Sequence, residues 1–234
     1  MSKFDWLLYR ILNKIDDKTR GAGKMSYSQC GEDLIVRFIF DALKIHSPTY
    51  IDIGAHHPTY LNNTFSFYAQ GARGVNVEPD PKLIREFHEK RPRDSNLNIG
   101  VGDKDGSMPF YVMSSRTLNT FSEAEARAME KEGKVAIEEV VSIPVRSIDS
   151  VLDEYFPVAP DLVSIDIEGF DLIVLRSLDF ARHRPKVICA ETLSYSSKRE
   201  GGKIPEIAEL MQDNGYFAYA DTHINTIFLD KNLW

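Results

Sequence analysis

The sequence predicts an α/β domain that is built on one largely parallel β-sheet. Short apolar runs alternate with amphipathic segments along most of the chain, which is typical of parallel strands joined by crossover helices. Acidic residues close two successive apolar runs, Asp52 the first and Glu78 the second. The last two apolar runs, residues 216–220 and 224–229, form a tight pair, so we expect an antiparallel hairpin at the end of the sheet.

The composition fits one folded domain that does not bind nucleic acid. A chain of 234 residues with 43% hydrophobic content can build one generous α/β core, whereas two independent domains would be cramped. The formal net charge of −7 argues against a nucleic-acid partner, because phosphate binding needs clustered Lys and Arg.

Neither the cysteines nor the apolar runs indicate export or a membrane span. Cys30 and Cys189 lack metal-site spacing and do not make a disulfide framework, which is typical of thiols in a reducing cytoplasm. No apolar run approaches the ~20 residues that cross a bilayer. The first ten residues carry charges within their apolar part and no small-residue cleavage site, unlike a signal peptide. We therefore expect a cytoplasmic protein.

Residues 1–24 are predicted to form a helix and a hinge ahead of the main domain at residues 25–234. Apolar side chains recur at helical spacing on one face, namely Phe4, Leu7, Leu8, Ile11, Leu12 and Ile15. Packing on the domain surface is the first interpretation, and a peripheral membrane contact or a homodimer contact is the alternative. Gly21 and Gly23 then break the helix.

The first half of the domain predicts three strands, each an apolar run bounded by turn residues. A helix follows residues 27–33, and Asp80 is a candidate cap for a later one. The expected order from there is a strand at 49–53, a helix at 63–70, a strand at 73–77, a helix at 81–90 and a strand at 97–101.

The second half begins with an irregular stretch. Residues 108–113 alternate like an added edge strand, and Ser122 with Glu125 forms a capping box that opens an Ala/Glu/Lys-rich helix. That helix has little apolar face, so we expect a surface insertion or a lid over a pocket. Regular alternation then resumes with a strand at 140–145, a helix at 147–155, a strand at 162–166, a helix at 171–178, a strand at 186–191 and a helix at 205–214.

The acids at the strand ends predict a nucleoside site. Ligands of open α/β sheets lie outside the carboxyl ends of the strands, where Asp52 and Glu78 would meet. Residues 54–58, Gly-Ala-His-His-Pro, contain one glycine and a proline without an amide donor. A dinucleotide site needs several glycines around its pyrophosphate, so the nicotinamide cofactors are disfavoured. The cationic amine of S-adenosylmethionine (SAM) suits Asp52, its ribose suits Glu78, and its adenine amino group suits Asp103.

Four segments together resemble the FkbM-type SAM-dependent methyltransferases. They are residues 51–55, 77–81, 102–106 and 164–169, and the likeness extends over about residues 26–230. The resemblance implies a Rossmann-like class I methyltransferase fold, with a seven-stranded, mostly parallel sheet, an antiparallel last strand and helices on both faces. It also implies methyl transfer to a hydroxyl of a sugar, glycan or related secondary metabolite. His57 and Pro58 depart from the family, where many members have Asn and then Gly.

Eight residues are predicted to bind the cofactor. Ser28 and Gln29 are included by resemblance alone, as a polar lid over the cofactor. The set is Ser28, Gln29, Asp52, Gly54, Ala55, Glu78, Pro79 and Asp103.

Methyl transfer to a hydroxyl needs an aligned acceptor oxygen and a base within hydrogen-bond reach. Asp166 is the first candidate base, because the sulfonium should lie near the end of its strand. Glu168 is the second. It ranks below Asp166 because the helix dipole favours an acid just before a helix, which gives Glu168 a structural explanation. His57 is the third, because imidazole titrates near neutral pH. No metal ligand is assigned. A magnesium site of Asp166, Glu168 and Asp171 is an alternative that we do not favour.

The acceptor is the least defined part of the prediction. Tyr195, Lys198, Arg199 and Lys203 form an aromatic and basic group that suits a nucleotide-linked or acidic acceptor, although a solvated charged loop is the slightly favoured interpretation. Two rival functions stay open at this stage. They are a nicotinamide-dependent sugar oxidoreductase and a non-catalytic SAM-binding protein.

Overall fold

The structure is a computed structural model that describes residues 24–133, 135–167, 169–193 and 202–234. The predicted N-terminal helix and all of its hinge except Lys24 lie outside the described residues. So do the candidate base Glu168 and three members of the basic loop, Tyr195, Lys198 and Arg199.

Ten strands and seven helices alternate along the described chain. The strands are β1 (Thr49–Ile53), β2 (Arg73–Val77), β3 (Ser95–Leu97), β4 (Gly100–Gly102), β5 (Gly106–Met113), β6 (Ile137–Ser147), β7 (Leu162–Ile165), β8 (Val187–Glu191), β9 (Tyr216–Asp221) and β10 (Asn225–Asp230). The helices are α1 (Glu32–Ala42), α2 (Phe65–Ala69), α3 (Leu83–Lys90), α4 (Glu123–Lys131), α5 (Ile148–Tyr155), α6 (Asp171–Ser177) and α7 (Pro205–Asp213).

The main sheet has seven strands in the order β3-β2-β1-β7-β8-β10-β9. The last strand of the chain, β10, pairs antiparallel with both of its neighbours, and the other strand pairs are parallel. The predicted fold class is therefore confirmed, including the reversed last strand. No helix within the described ranges is long and apolar enough to cross a membrane.

Helices cover both faces of the main sheet. On one face, α5, α6 and α7 contribute Leu152, Leu175 and Met211 to a buried apolar core. On the other face, α1 and α2 contribute Phe40 and Phe67 to a second core. The strands supply both cores because successive side chains of a strand point to opposite faces.

The predicted strand at residues 97–101 is wrong as a single strand. Its first part belongs to β3 in the main sheet, and its second part belongs to β4 in a separate three-stranded sheet, β4-β6-β5. A Cβ atom at Gly100 would crowd the Phe121 ring, so the glycine lets that ring pack closely against the backbone where the chain passes from one sheet to the other. We refer to the three-stranded sheet and α4 as the inserted sheet.

The predicted edge strand at 108–113 also belongs to the inserted sheet, as β5. It pairs antiparallel with β6 rather than with the main sheet. Phe110 and Val112 pack on one side of β5, and Tyr111 and Met113 pack on the other side. Because both faces of β5 are buried, the inserted sheet has apolar packing of its own and is more than an extension of the main sheet.

Helix α4 begins as the capping box predicted, but it is not a bare surface helix. The Ser122 hydroxyl accepts a hydrogen bond from the Glu125 amide at 3.2 Å. Ala126 and Met129 are buried against Tyr111 and Met113. These two residues are enough to pack the helix against β5. Two apolar positions form only a weak periodic pattern, so the sequence alone does not indicate this buried face.

A buried polar network lies beneath the carboxyl end of β1. The wholly buried guanidinium of Arg91 donates to Asp94 at 2.8 Å and to the Tyr50 hydroxyl at 3.0 Å. It also donates to the Asn62 side-chain oxygen and to the Thr64 hydroxyl, each at 3.0 Å. Both acceptors belong to the segment that follows β1, so this network ties that segment to the sheet.

Replacing Arg91 with Met should lower the free energy of unfolding by about 3–5 kcal/mol, because Asp94 would stay buried without its cation. Urea denaturation measures the change. The control is Arg127→Met on α4, which removes an exposed ion pair with Glu123 and should leave stability indistinguishable from wild type. Equal stability of the two variants would show that the buried network contributes no more than an exposed pair.

Candidate functional site

The carboxyl ends of β2, β1 and β7 border a cavity of about 320 Å³. This volume lies within the range of about 300–1,000 Å³ that is usual for small-molecule sites. Five predicted site residues line the cavity, namely Gln29, Gly54, Glu78, Pro79 and Asp166. The inserted sheet and its loop supply a further part of the lining, namely Phe110, Arg116, Thr117, Asn119, Thr120 and Phe121.

Gly54 makes the tight turn where β1 ends. Its φ of +78° is a left-handed conformation that side chains disfavour. A Cβ atom at this position would also collide with the Asp166 carbonyl oxygen. The Gly54 amide donates to the Val77 carbonyl at 3.0 Å, so the turn is held against the end of β2. Position 54 therefore requires glycine for two reasons, the left-handed backbone and the lack of room for a side chain.

Asp52 and Ala55 lie behind the turn rather than along the cavity lining. The Asp52 carboxylate accepts hydrogen bonds from the Asn62 amide group at 3.1 Å and from the Thr64 hydroxyl at 2.8 Å. Burial raises the pKa of Asp52, although the charge of Arg91 acts in the opposite direction. The Ala55 carbonyl accepts from Asn62 at 3.1 Å. The predicted cofactor contacts of both residues stay predictions.

Glu78 is a buried carboxyl that faces the cavity. One of its oxygens accepts from the His56 amide at 2.9 Å, and the other accepts from the Asp80 amide at 2.8 Å. Burial nevertheless raises the pKa of Glu78 to about 8. Each oxygen of the group keeps acceptor capacity beyond the one amide that it binds, so hydroxyl donors in the cavity can still bind Glu78.

The two histidines of the turn have different surroundings. His57 Nδ1 accepts from the Tyr60 amide at 3.0 Å, and its Nε2 lies 3.5 Å from a carboxylate oxygen of Glu86. His57 is not part of the cavity lining, whereas His56 is. Burial lowers the pKa of both imidazoles. The role of His57 as a base stays a prediction, and His56 is a cavity residue outside the predicted set.

Asp166 directly follows β7 and lines the cavity beside Gly54. Burial, and then the charges of Asp52 and Glu32, raise the pKa of Asp166 to about 6. Asp171 at the start of α6 accepts from the Ile167 amide at 3.4 Å, and burial together with Asp166 raises its pKa to about 8. The cavity lining therefore contains one acid with a raised pKa at this end, Asp166, and Asp171 lies next to it outside the lining.

The structure describes no group of three or more His, Cys, Asp or Glu residues that is placed to hold a metal ion. The alternative magnesium site cannot be assembled from the described residues, because Glu168 lies outside them.

The remaining predicted residues that the structure describes, Ser28, Asp103 and Lys203, lie outside the cavity lining. The Ser28 hydroxyl donates to Asp33 at 2.9 Å and accepts from the Gly31 amide at 3.1 Å, so it closes the turn that precedes α1. Asp103 is exposed in the turn between β4 and β5 and does not belong to the cavity lining. The Lys203 ammonium donates to Asp221 at 2.7 Å.

Sequence reasoning missed the contact between Asp80 and the inserted sheet. One Asp80 oxygen accepts from the Lys82 amide at 2.7 Å, close to the capping role expected for it. The other oxygen accepts from Arg116 at 2.8 Å and from the Asn119 side chain at 3.0 Å. No periodicity marks Arg116 or Asn119. The one feature of the sequence that points to this contact is the pair of acids in the Glu-Pro-Asp turn.

The fold and the site together define an α/β protein with a cavity of small-molecule size at a switch in strand order. The chain belongs to the FkbM methyltransferase family, because the family described as "Methyltransferase FkbM domain" matches residues 52–218. No curated protein shows significant sequence similarity to the chain.

Solved methyltransferase structures resemble the chain at low sequence identity. The methyltransferase FkbM from Methylobacillus flagellatus is 14% identical with a TM-score of 0.43, covering 79% of this chain and 44% of that protein, which is less than half its length. An O-methyltransferase from Bacillus cereus in complex with SAH is 12% identical with a TM-score of 0.45, covering 94% and 88%. A SAM-bound amino pentose methyltransferase from Micromonospora echinaspora is 10% identical with a TM-score of 0.44, covering 92% and 96%.

Replacing Gly54 with Ala should destabilise the protein more than the same change at Gly133. Gly133 has a similar φ of +74° but no atom within 4 Å of an added Cβ. Both variants carry the left-handed backbone cost of about 1–2 kcal/mol. Only Gly54→Ala adds the collision with Asp166. Urea denaturation compares the two, and equal losses would mean that the close approach can relax.

The free energy of unfolding should fall as the pH rises from about 6 towards 8. Glu78 and Asp171 keep their protons up to about pH 8 in the folded state, well above their ordinary values of 4.5 and 3.8. The raised pKa values stabilise the folded state fully at low pH, and this stabilisation is lost as the pH climbs through 8. Each group contributes a slope of up to about 1.4 kcal/mol per pH unit.

Asp171→Asn tests that slope, because an amide resembles the protonated acid. Denaturation at several pH values should show a shallower fall than in wild type. Glu89→Gln, which removes an exposed carboxyl from α3, is the control and should keep the wild-type slope. An unchanged slope in Asp171→Asn would rule out proton retention at this carboxyl.

Proposed function

We propose that the protein is a SAM-dependent O-methyltransferase that methylates a hydroxyl of a sugar, glycan or related secondary metabolite. The observation that carries the proposal is that Glu78 and Asp166 line the same cavity, on either side of the Gly54 turn. Family membership supports methyl transfer, and these two acids suit a nucleoside and a hydroxyl respectively.

S-adenosylmethionine is the methyl donor, and the cavity suits it in two respects. Glu78 accepts hydrogen bonds from the ribose hydroxyls, since its backbone donors leave it further lone pairs. The Gly54 turn brings the chain close to the ligand without offering a pyrophosphate cradle, which a dinucleotide would need. When bound, the cofactor supplies an electrophilic methyl group on a sulfonium.

Asp166 accepts the proton of the acceptor hydroxyl. With a pKa of about 6 it is largely ionised at neutral pH and is still basic enough to take a proton in the transition state. The cavity walls hold the acceptor oxygen in line, and this orientation is the larger part of the catalysis. Glu168 stays the second candidate base and His57 the third.

The character of the acceptor stays a prediction. Three of the four residues that suggested a nucleotide-linked or acidic acceptor lie outside the described residues, and the fourth, Lys203, is ion-paired with Asp221. A cytoplasmic location and a homodimer belong to the same set of expectations.

The function is tested with purified protein and labelled SAM on a panel of free sugars, nucleotide sugars and glycan fragments, with and without EDTA. We expect label on a hydroxyl oxygen of one acceptor class. Calorimetry in parallel should show binding of S-adenosylhomocysteine (SAH) and none of NAD. Binding of NAD without SAH would favour the oxidoreductase instead. Binding of SAH without product from any member of the panel would favour a binding protein.

Asp166→Asn should reduce turnover by about 100-fold or more while SAH binds as in wild type, because the base is lost and the cavity keeps its shape. Steady-state rates and SAH dissociation constants check the two effects. Glu168→Gln and His57→Gln are measured alongside. If either of them abolishes turnover and Asp166→Asn does not, the base has been assigned to the wrong residue.

A further inference from the structure

Glu32, the first residue of α1, is a wholly buried acid that the site described so far does not use. Its carboxylate accepts hydrogen bonds from the Cys30 amide at 2.8 Å and the Thr222 hydroxyl at 2.7 Å. The side-chain amide of Asn225 donates to it at 3.2 Å. All three donors are neutral, and none of the ion pairs between described residues includes Glu32.

These hydrogen bonds keep Glu32 ionised. Burial disfavours its charge, but the donors from Thr222, Cys30 and Asn225 outweigh burial and lower the pKa of Glu32 below its ordinary value. Hydrogen bonds to the charged form of a carboxyl favour that form. Glu32 is therefore a fixed negative charge inside the protein.

The pairing of the strands brings this charge close to Asp166. Ile165 of β7 pairs with Ala190 of β8, and Glu191 pairs with Asn225, the first residue of β10. Asp166 therefore lies level with Glu191 and Asn225 at the carboxyl edge. Ile165 and Ala190 belong to the core under α5, α6 and α7, so the residues that follow them face the other side, which α1 covers. Asn225, on this side, holds Glu32.

Titratable groups from four elements face Asp166, namely Asp52 of β1, Glu32 of α1, Asp171 of α6, and Cys189 and Glu191 of β8. Asp52 has the opposing charge of Arg91 near it. Burial raises the pKa of Asp171 to about 8 and the pKa of Cys189 well above its ordinary range, so both are largely protonated at neutral pH. Glu32 is a charge in this group that no described cation cancels.

We propose that Glu32 is a positioning residue for the candidate base Asp166, acting from α1 as a fixed negative charge that favours proton transfer from the acceptor hydroxyl to the Asp166 carboxylate. The proposal rests on the proposed function. The acceptor oxygen gains the methyl carbon and gives its proton to Asp166, while the sulfur keeps the electron pair of the bond that breaks. A like charge nearby makes a carboxylate hold a proton more strongly, and a general base gains from this.

Glu32→Gln tests the charge, because it removes the charge and keeps the size of the side chain. The Asp166 carboxyl should then titrate about one pH unit lower than in wild type, since a buried like charge is gone. NMR titration of protein labelled with ¹³C-aspartate, in buffer with EDTA, measures the change. The signal of Asp166 is the one that disappears in Asp166→Asn.

The pH profile of methyl transfer is the second readout. The acid limb of kcat/KM reports the essential base of the free enzyme, so in Glu32→Gln it should move to lower pH together with the titration of Asp166. Turnover at pH 8 should fall by about two- to fivefold, because Asp166 becomes a weaker base.

Two variants separate the charge from the packing. Glu32→Asp keeps the charge while its shorter side chain disturbs the hydrogen bonds, so it should titrate as wild type does. Asp41→Asn removes an exposed charge from the same helix and should leave both readouts unchanged. If Glu32→Gln does not fold, Asp166→Asn gives the reciprocal measurement, because coupling between two sites is mutual. With ¹³C-glutamate labelling, Glu32 should titrate at lower pH in Asp166→Asn than in wild type.

Three results would overturn the role of Glu32. An unchanged titration of Asp166 in folded Glu32→Gln, or of Glu32 in Asp166→Asn, would overturn it and leave the proposed function intact. Equal shifts in Glu32→Gln and Glu32→Asp would do so too, because packing would then explain both. If wild type methylates no acceptor, the proposed function fails, and the role of Glu32 in proton transfer fails with it.

Discussion

The close approach of two strand ends, at Gly54 and Asp166, is the constraint on which the site depends. Parallel strands β1 and β7 deliver their carboxyl ends to one edge, and the absence of a side chain at Gly54 lets the backbones meet there. The same turn is hydrogen-bonded to the end of β2, which carries Glu78. One glycine thus sets the separation between the acid that suits a ribose and the acid that suits a hydroxyl proton.

Several carboxyl groups are buried in this fold, and they fall into two kinds. Beneath the turn, Asp94 has a full cationic partner in Arg91, so the charge is compensated. Around the cavity, Glu78, Asp166 and Asp171 have raised pKa values, with burial as the main cause. The first arrangement holds the segment after β1 in place, while the second leaves acids that can exchange protons at neutral pH, as general base catalysis requires.

The inserted sheet links the packing of the protein to the shape of its cavity. Both faces of β5 are buried, so the sheet has an apolar core of its own, and Asp80 ties it to the turn after β2. The cavity residues of this sheet, Phe110 and Phe121 among them, are therefore held at a defined place relative to Glu78. This link makes the inserted sheet a part of the site, whereas its sequence suggested a surface insertion or a lid.

The sequence by itself determined the strands at 49–53 and 73–77, the acids that end them, the final hairpin and the family, because periodicity, turn residues and motif spacing are local properties. Tertiary structure alone decided that residues 97–101 divide between two sheets, that Asp52 joins the Arg91 network, and that Asp80 binds Arg116. Each of these depends on contacts between residues far apart in the chain, such as Gly100 with Phe121, and such contacts leave no periodic pattern. A strand's end can be predicted from its own residues, but the partner of a buried side chain cannot.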